Sequence, residues 1–259
     1  MTNIQFHQRA ETVRAIATLT ADCRSNAGVP GLDFLEDQTP VAFAYFEHRP
    51  LDDGGNEFAF GAEVRDAANP ARFIRNVKRH FLPEARLLTW DADSFDFPLL
   101  AFEAMAAREF AGKHLPDAQR AISPHHKRHH ALREELFAGR GCWPENIGPV
   151  LTRLGIPTAP IGEMALRGLY LAGDEAKLRA LAERRALELY VLWLHWHAYV
   201  LADVAEFVAP LVALQNWVVD QPPEPEKAEL FDWIGAIDLR AFMRTSMPVI
   251  GPTRSEPNM

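Results

Sequence analysis

Apolar and β-branched residues in the first third of the chain form short runs separated by polar turns, a pattern typical of strands. Residues 12–22 predict a central strand, and residues 41–46 and 57–63 predict two more. The segment between these two strands, Asp52-Asp-Gly-Gly-Asn56, is rich in turn-forming residues. We therefore expect the second and third strands to form an antiparallel hairpin.

A helix is predicted after Pro70, because Phe73, Ile74, Val77 and Phe81 recur at helical spacing. Proline is well suited to the first turn of a helix, where its missing N–H is not needed. Three strands followed by a helix, a strand and a second helix would make an α/β sheet.

That fourth strand and second helix flank an acidic turn at Asp91. Residues 87–90 are apolar enough for a buried strand, residues 91–94 predict a tight turn, and a helix is predicted from Pro98 to about residue 112. Carboxylates that follow a strand in this way suggest a site for Mg²⁺ or Mn²⁺. The alternative is an ordinary acidic turn in which Asp96 caps the helix.

The second half of the chain is predicted to be mostly helical, with a short helical extension at the C-terminal end. Residues 1–220 are expected to form one domain, and residues 221–259 a linker followed by the extension. The predicted helices cover residues 132–137, 147–154 and 163–171, a long stretch capped by Asp174 that runs toward Asp220 with a bend near Pro210, and residues 228–243.

The composition is that of a globular protein, with 48% hydrophobic and 24% charged residues and no apolar run long enough to cross a membrane. The N-terminal residues lack the features of a secretory signal, so a cytoplasmic protein is expected.

The net charge of −8 argues against indiscriminate binding to nucleic acid. Residues 108–140 are nevertheless locally basic, and the candidate nucleic-acid contacts there are Lys113, Arg120, Lys127 and Arg128.

Three places in the chain carry a resemblance to a known family. Thr89-Trp-Asp-Ala-Asp-Ser-Phe-Asp-Phe-Pro-Leu-Leu100 is similar to the pattern T-F-N-G-x-x-F-D-x-P-x-L, and Leu181-Ala-Glu-Arg-Arg-Ala-Leu-Glu-Leu-Tyr-Val-Leu192 to Y-C-E-x-D-x-L-x-T-Y. Between them, Leu154-Gly-Ile-Pro157 together with Leu169-Tyr-Leu-Ala-Gly173 resembles the segment that leads to the second of these patterns. Over about residues 12–200 the chain thus resembles the DEDD (DnaQ-like) 3′-5′ exonucleases. Within that superfamily the chain resembles the group related to the proofreading domain of family B DNA polymerases. The resemblance implies a ribonuclease H-like fold.

The resemblance also implies a catalytic site in which four carboxylates hold two metal ions, which activate water and stabilise the leaving oxygen of a phosphodiester. The four positions fall on Thr20, Asp22, Asp96 and Arg185. Two acids are therefore replaced, and only Asp22 and Asp96 remain as metal ligands for Mg²⁺ or Mn²⁺.

Arg185 would repel a cation and attract carboxylates. We therefore expect it to take the place of the metal ions in an ion-pair cluster with Asp22 and Asp96. Replacing Arg185 by alanine should then cost about 3 kcal/mol or more if the cluster is buried. Alternatively, neighbouring acids could rebuild a metal site, and the candidates are Asp91, Asp93, Glu183 and Glu188.

Histidines and aromatic residues suggest two further sites. The run from Ser123 to His130 contains histidines at i and i+4 spacing, which would bind zinc on a helix, but its polar surroundings favour a solvated loop. The predicted long helix carries Trp193, Trp196 and Tyr199, which could stack on bases; a core or a partner interface is the favoured interpretation.

Three functions remain open at this point. The favoured hypothesis is a catalytically impaired exonuclease homologue that binds the 3′ end of single-stranded DNA or RNA, or a protein partner. The second is an active metal-dependent 3′-5′ exonuclease with a rearranged set of carboxylates. The third is a scaffold that associates with itself or a partner through the long helix, without enzymatic activity.

Overall fold

The computed structural model describes residues 11–22, 38–81, 85–91, 96–109, 129–137, 147–158, 162–222 and 224–239, with the side chains of Asp22, Glu163 and Glu226 excepted. Within these ranges the chain forms a mixed sheet of five strands in the order β3-β2-β1-β4-β5, flanked by helices. The predicted mixed α/β architecture is confirmed. The strands are β1 (Val13–Asp22), β2 (Gln38–Pro50), β3 (Asn56–Val64), β4 (Arg86–Thr89) and β5 (His129–Ala131).

The predicted hairpin forms, and its strands extend beyond the predicted bounds. β2 runs antiparallel to both β1 and β3, and the β1–β2 register shifts between Leu19 and Thr20. On the other side of β1, β4 runs parallel to it over residues 13–15, and β5 runs parallel to β4. Because β1 and β4 are parallel, their carboxyl ends meet at the same edge of the sheet.

The helices begin close to the predicted positions because proline and capping residues mark their starts. Pro70 begins the first helix, and the Asp174 side chain accepts a hydrogen bond from the backbone N–H of Lys177 at 3.1 Å. The helices are α1 (Pro70–Arg79), α2 (Phe97–Ala106), α3 (Leu132–Phe137), α4 (Gly148–Arg153), α5 (Glu163–Ala172), α6 (Glu175–Leu201), α7 (Ala205–Val219) and α8 (Ala228–Gly235), and a short 3₁₀ turn covers Pro225–Lys227.

The helices cover both faces of the sheet. On one face, α1 and α2 pack Phe73, Ile74 and Leu100 against the sheet residues Ile16 and Phe43. On the other face, α6 supplies much of a larger core that also includes residues of α4, α5, α7 and α8. This arrangement explains why α6 is apolar around so much of its circumference: it is a central helix that other elements surround.

One predicted helix is two helices in the structure. The expected continuous helix toward Asp220 is wrong, because the chain turns between Leu201 and Ala205. Ala202 has a left-handed φ of 52°, and the Asp203 side chain accepts a hydrogen bond from the backbone N–H of Ala205 at 2.8 Å. A left-handed C-cap residue therefore ends one helix, and the next begins after Val204, its N-cap residue, with Asp203 holding the turn between them.

The structure also changes the interpretation of the histidine run. His129 and His130 belong to β5, which pairs with β4. For these two residues the favoured solvated loop and the alternative helix are therefore both wrong. Residues 123–128 lie outside the described residues.

In the described part of the C-terminal extension, Leu230, Trp233 and Ile234 of α8 join the same core as α6. None of the described helices, the 27-residue α6 included, has the length and apolar character that a membrane crossing requires.

Candidate functional site

A cleft of about 420 Å³ lies at the carboxyl ends of β1 and β4. We call it the Asp96 cleft. Its walls come from β1, from Trp90 and Asp91 directly after β4, from the starts of α2, α3 and α4, from α5 and from the middle of α6, so it joins segments that are far apart in sequence. The polar side chains that line it belong to Thr18, Thr20, Asp91, Asp96, Arg133 and Arg185.

Two threonines reach the cleft from the same strand. Thr18 and Thr20 are two residues apart in β1, and alternate residues of a strand lie on the same face. The register shift between Leu19 and Thr20 lies between them, at the point where β1 approaches the end of the sheet. Local strand geometry therefore brings both hydroxyl groups to the cleft.

Asp96 is buried directly before the first residue of α2, with 9% of its surface exposed. Its backbone N–H donates a hydrogen bond to the carbonyl oxygen of Asp91 at 3.2 Å, and the Thr18 hydroxyl donates to its carboxyl group. Burial raises the pKa of Asp96 to about 8, and the neighbouring Asp91 adds to the rise while Thr18 opposes it. Asp96 occupies the N-cap position of α2, as the alternative interpretation expects, but its side chain makes no capping hydrogen bond.

Asp91 is neutralised within the cleft by Arg133. The Arg133 Nη1 atom and the Asp91 Oδ2 atom form an ion pair, and both side chains are partly buried. The backbone N–H of Arg133 also donates to the carbonyl oxygen of Trp90 at 3.2 Å. These two contacts attach the start of α3 to the end of β4, so Asp91 already has a cationic partner.

Arg185 enters the cleft from α6, but its partner differs from the one expected. The Arg185 Nη1 atom lies 2.9 Å from Glu188 Oε2, and no described ion pair joins it to Asp96. Arg184 Nε lies 3.3 Å from the other carboxylate oxygen of Glu188. Residues three and four apart on a helix are neighbours, so the local pair with Glu188 forms instead of the predicted pair with Asp96.

Glu188 is therefore shared between two guanidinium groups. Only 4% of its side chain is exposed, whereas 24% of the Arg185 side chain is. Burial raises the pKa of Glu188, and the two arginines oppose that rise. The carboxylate lies behind the arginine rather than in the cleft, where Arg185 itself forms part of the wall.

Three of the four predicted catalytic positions, Thr20, Asp96 and Arg185, thus line one cleft. The fourth, Asp22, ends β1, and its side chain lies outside the described residues. Glu183 is buried but does not line the cleft. Asp93 and the predicted nucleic-acid contacts also lie outside the described residues: Lys113, Arg120, Lys127 and Arg128.

Sequence reasoning missed two residues of the cleft, Thr18 and Arg133. Thr18 could have been found from strand alternation alone, since it shares a face with Thr20. Arg133 was included in the basic segment, but its role depends on β5, which carries it to the end of β4. No local sequence signal predicts that long-range pairing.

The described side chains of the cleft do not fit two divalent metal ions. Two such ions need several uncompensated carboxylates. The cleft offers Asp91, which is already ion-paired, and Asp96, whose raised pKa favours the neutral form. Among the described residues, no three histidine, cysteine, aspartate or glutamate side chains converge as a metal site would require.

The two described histidines of the predicted zinc pairs have separate partners. His129 Nε2 lies 2.9 Å from Thr89 Oγ1, and His130 Nδ1 lies 2.6 Å from Glu135 Oε1. Glu135 also accepts a hydrogen bond from Trp196 Nε1 at 2.8 Å. The predicted pairs were His125 with His129 and His126 with His130 on a helix. His129 and His130 lie in a strand instead, and His125 and His126 lie outside the described residues.

The aromatic residues of α6 divide between the core and the surface. Trp193 is 6% exposed and stacks on His197 with 4.8 Å between ring centroids, whereas Tyr199 is 77% exposed. A separate, mainly apolar cavity of about 640 Å³ lies beside Tyr199 and Val204. Trp193 is therefore a core residue, and base stacking by Tyr199 stays a prediction.

Comparisons with known proteins add no family to this geometry. No family model, no curated protein and no solved structure matches the chain. The functional interpretation therefore depends on the chemistry of the Asp96 cleft.

Proposed function

We propose that this chain has a ribonuclease H-like fold and is a catalytically impaired homologue of the DEDD 3′-5′ exonucleases. In this proposal it binds the 3′ end of single-stranded DNA or RNA in the Asp96 cleft without hydrolysing it. The observation that carries the proposal is that Thr20, Asp96 and Arg185, which the motifs single out from distant segments, line the same cleft.

The topology of the sheet supports the fold. An antiparallel three-stranded unit is followed by a crossover that adds β4, and then β5, parallel to β1 on its other side. The resemblance requires its acids to come from the first strand, from the end of a parallel neighbour and from a late helix. In this chain those elements are β1, the segment after β4, and α6.

The charges of the cleft support binding without hydrolysis. Water activation by two metal ions requires a strongly acidic site. Here Thr18 and Thr20 contribute only hydroxyl groups, and Arg185 contributes a cation, so the first-strand and helix positions supply no acid among the described side chains. Arginine in a cleft is instead well suited to contact phosphate groups.

The test is an incubation of the folded protein with 5′-labelled single-stranded DNA and RNA in Mg²⁺ or Mn²⁺, combined with binding measured by fluorescence anisotropy. We expect no shortening of the strands from the 3′ end. We expect the affinity to fall at least about sevenfold between 50 and 200 mM salt. That is the fall expected when a protein releases the counterions of about two phosphates of a single strand.

Two results would contradict this proposal in different ways. Shortening by the wild type that disappears in Asp96→Asn would identify an active nuclease with rebuilt metal ligands. Neither shortening nor salt-sensitive binding would favour the scaffold hypothesis. Arg49→Gln is a suitable control for binding, because Arg49 is half exposed and lies at the hairpin end of β2, far along the sheet from the cleft.

A further inference from the structure

The two arginines that line the Asp96 cleft are more exposed than the carboxylates with which they pair. Arg133 and Arg185 each keep 24% of the side chain exposed, whereas their partners Asp91 and Glu188 keep 18% and 4%. Both guanidinium groups line the cleft, whereas the Glu188 carboxylate does not, and Asp91 lines it as the ion-pair partner of Arg133. That arrangement suits an anion better than a cation.

The balance of charge points the same way. The carboxylate of Glu188 is shared by Arg184 and Arg185, and Asp91 is paired with Arg133. Even if Asp96 is counted as ionised, three carboxylates face three guanidinium groups. A site for divalent cations would need an excess of carboxylates, which the described residues do not provide.

The remaining walls fit the rest of a nucleotide. Trp90 lines the cleft beside Asp91, together with the apolar side chains of Ile147, Leu166 and Leu189. An aromatic ring can stack on a base of any identity, and threonine hydroxyl groups can donate to phosphate oxygens. A volume of about 420 Å³ is within the range of small-molecule sites.

We propose that the cleft binds one nucleotide unit through its phosphate group, which Arg133 and Arg185 contact directly in the position where divalent metal ions would lie in an active nuclease. Thr20 donates to the phosphate, and Trp90 packs against the base. This inference rests on the proposed function and adds its chemistry: recognition of the phosphate does not require a metal ion. The nucleotide can be the 3′-terminal unit of a strand or a free mononucleotide.

The test is a titration of the folded full chain with thymidine 5′-monophosphate in EDTA, with binding measured by isothermal titration calorimetry. We expect binding in EDTA and a dissociation constant that changes less than about twofold when Mg²⁺ replaces EDTA. Thymidine, which lacks the phosphate, should bind at least about tenfold more weakly, because charge-assisted hydrogen bonds are lost.

Arg133→Gln and Arg185→Gln should each weaken binding of the monophosphate at least about tenfold, whereas Arg49→Gln should leave it unchanged. Circular dichroism and thermal unfolding identify variants that fail to fold. If either glutamine variant does, Thr20→Asp replaces it, since a carboxylate on the wall should repel the phosphate and abolish binding. Binding that requires Mg²⁺, equal binding of thymidine, or arginine variants that behave like Arg49→Gln would overturn the inference.

The oligonucleotide and mononucleotide measurements separate this inference from the function on which it rests. Salt-sensitive binding of oligonucleotides that Arg133→Gln and Arg185→Gln leave unchanged would overturn the inference and keep the proposed function. Binding of the mononucleotide alone, with no binding of oligonucleotides, would support the phosphate site and contradict the proposed function. Binding of both that depends on the two arginines supports both.

Discussion

Replacing Arg184 and Arg185 together by alanine is expected to lower the free energy of unfolding by about 3–5 kcal/mol, more than the sum of the two single replacements. Glu188 is the reason, because its carboxylate is almost fully buried and each of its oxygens faces one of the two arginines. A single replacement leaves Glu188 with one cationic partner. Loss of both leaves a buried carboxylate unpaired.

Urea unfolding of the wild type, both single variants and the double variant measures this coupling. Each single replacement should cost about 1–2 kcal/mol, with Arg184→Ala the larger, since Arg184 also lies over the Trp233 ring at 5.5 Å. In a Glu188→Gln background the double replacement should cost much less. Strict additivity of the two single effects would contradict this account of Glu188. Because Glu188 keeps Arg184 as a partner when Arg185 is replaced, the loss of about 3 kcal/mol or more predicted above for Arg185→Ala alone is revised to about 1–2 kcal/mol.

Asp96→Asn is expected to stabilise the protein increasingly as the pH rises. The pKa of Asp96 is raised from 3.8 to about 8, so the folded state holds the proton more tightly than the unfolded state does. Between these values the unfolded state binds fewer protons, and the stability of the wild type falls by about 1.4 kcal/mol per pH unit from this group. Below pH 4 this destabilisation of the wild type by Asp96 is absent, and above pH 8 it has reached its full size.

The measurement is the free energy of unfolding of wild type and Asp96→Asn at several pH values from 4 to 9. The difference between them should grow by about 3 kcal/mol between pH 5 and pH 7 and level off above pH 8. Asparagine can still accept the Thr18 hydrogen bond, so the change isolates the ionisation. Asp52→Asn, on the exposed hairpin turn, serves as the control and should follow the wild type. Parallel curves for wild type and Asp96→Asn would contradict the prediction.

The sequence was most informative where structure depends on local rules. The hairpin follows from alternation and turn residues, and Pro70 and Asp174 mark helix starts that the structure confirms. The break after Leu201 was missed because Ala202 is an ordinary helix former that adopts a left-handed conformation only when the next helix packs back on α6. β5 was missed because three residues give no strand period and are held by pairing with β4.

The candidate site shows the same division. The motifs singled out Thr20, Asp96 and Arg185, which line one cleft, because each lies in or beside an element whose start was correctly predicted. The partners of those residues were not predictable in the same way. Arg185 pairs with Glu188, three residues along its own helix, since a short local contact competes successfully with a pair across the cleft.

The sheet is paired unevenly, and this gives its two halves different resistance to local opening. β1 is paired with β2 along its whole length but with β4 only over residues 13–15, and β5 adds a short pairing at the edge. Segments with few shared backbone hydrogen bonds open at lower free energy than the rest of a domain. The β4–β5 half can therefore fray while the hairpin half stays intact. Since Trp90 and Asp91, which directly follow β4, line the Asp96 cleft, such fraying would widen its entrance without global unfolding.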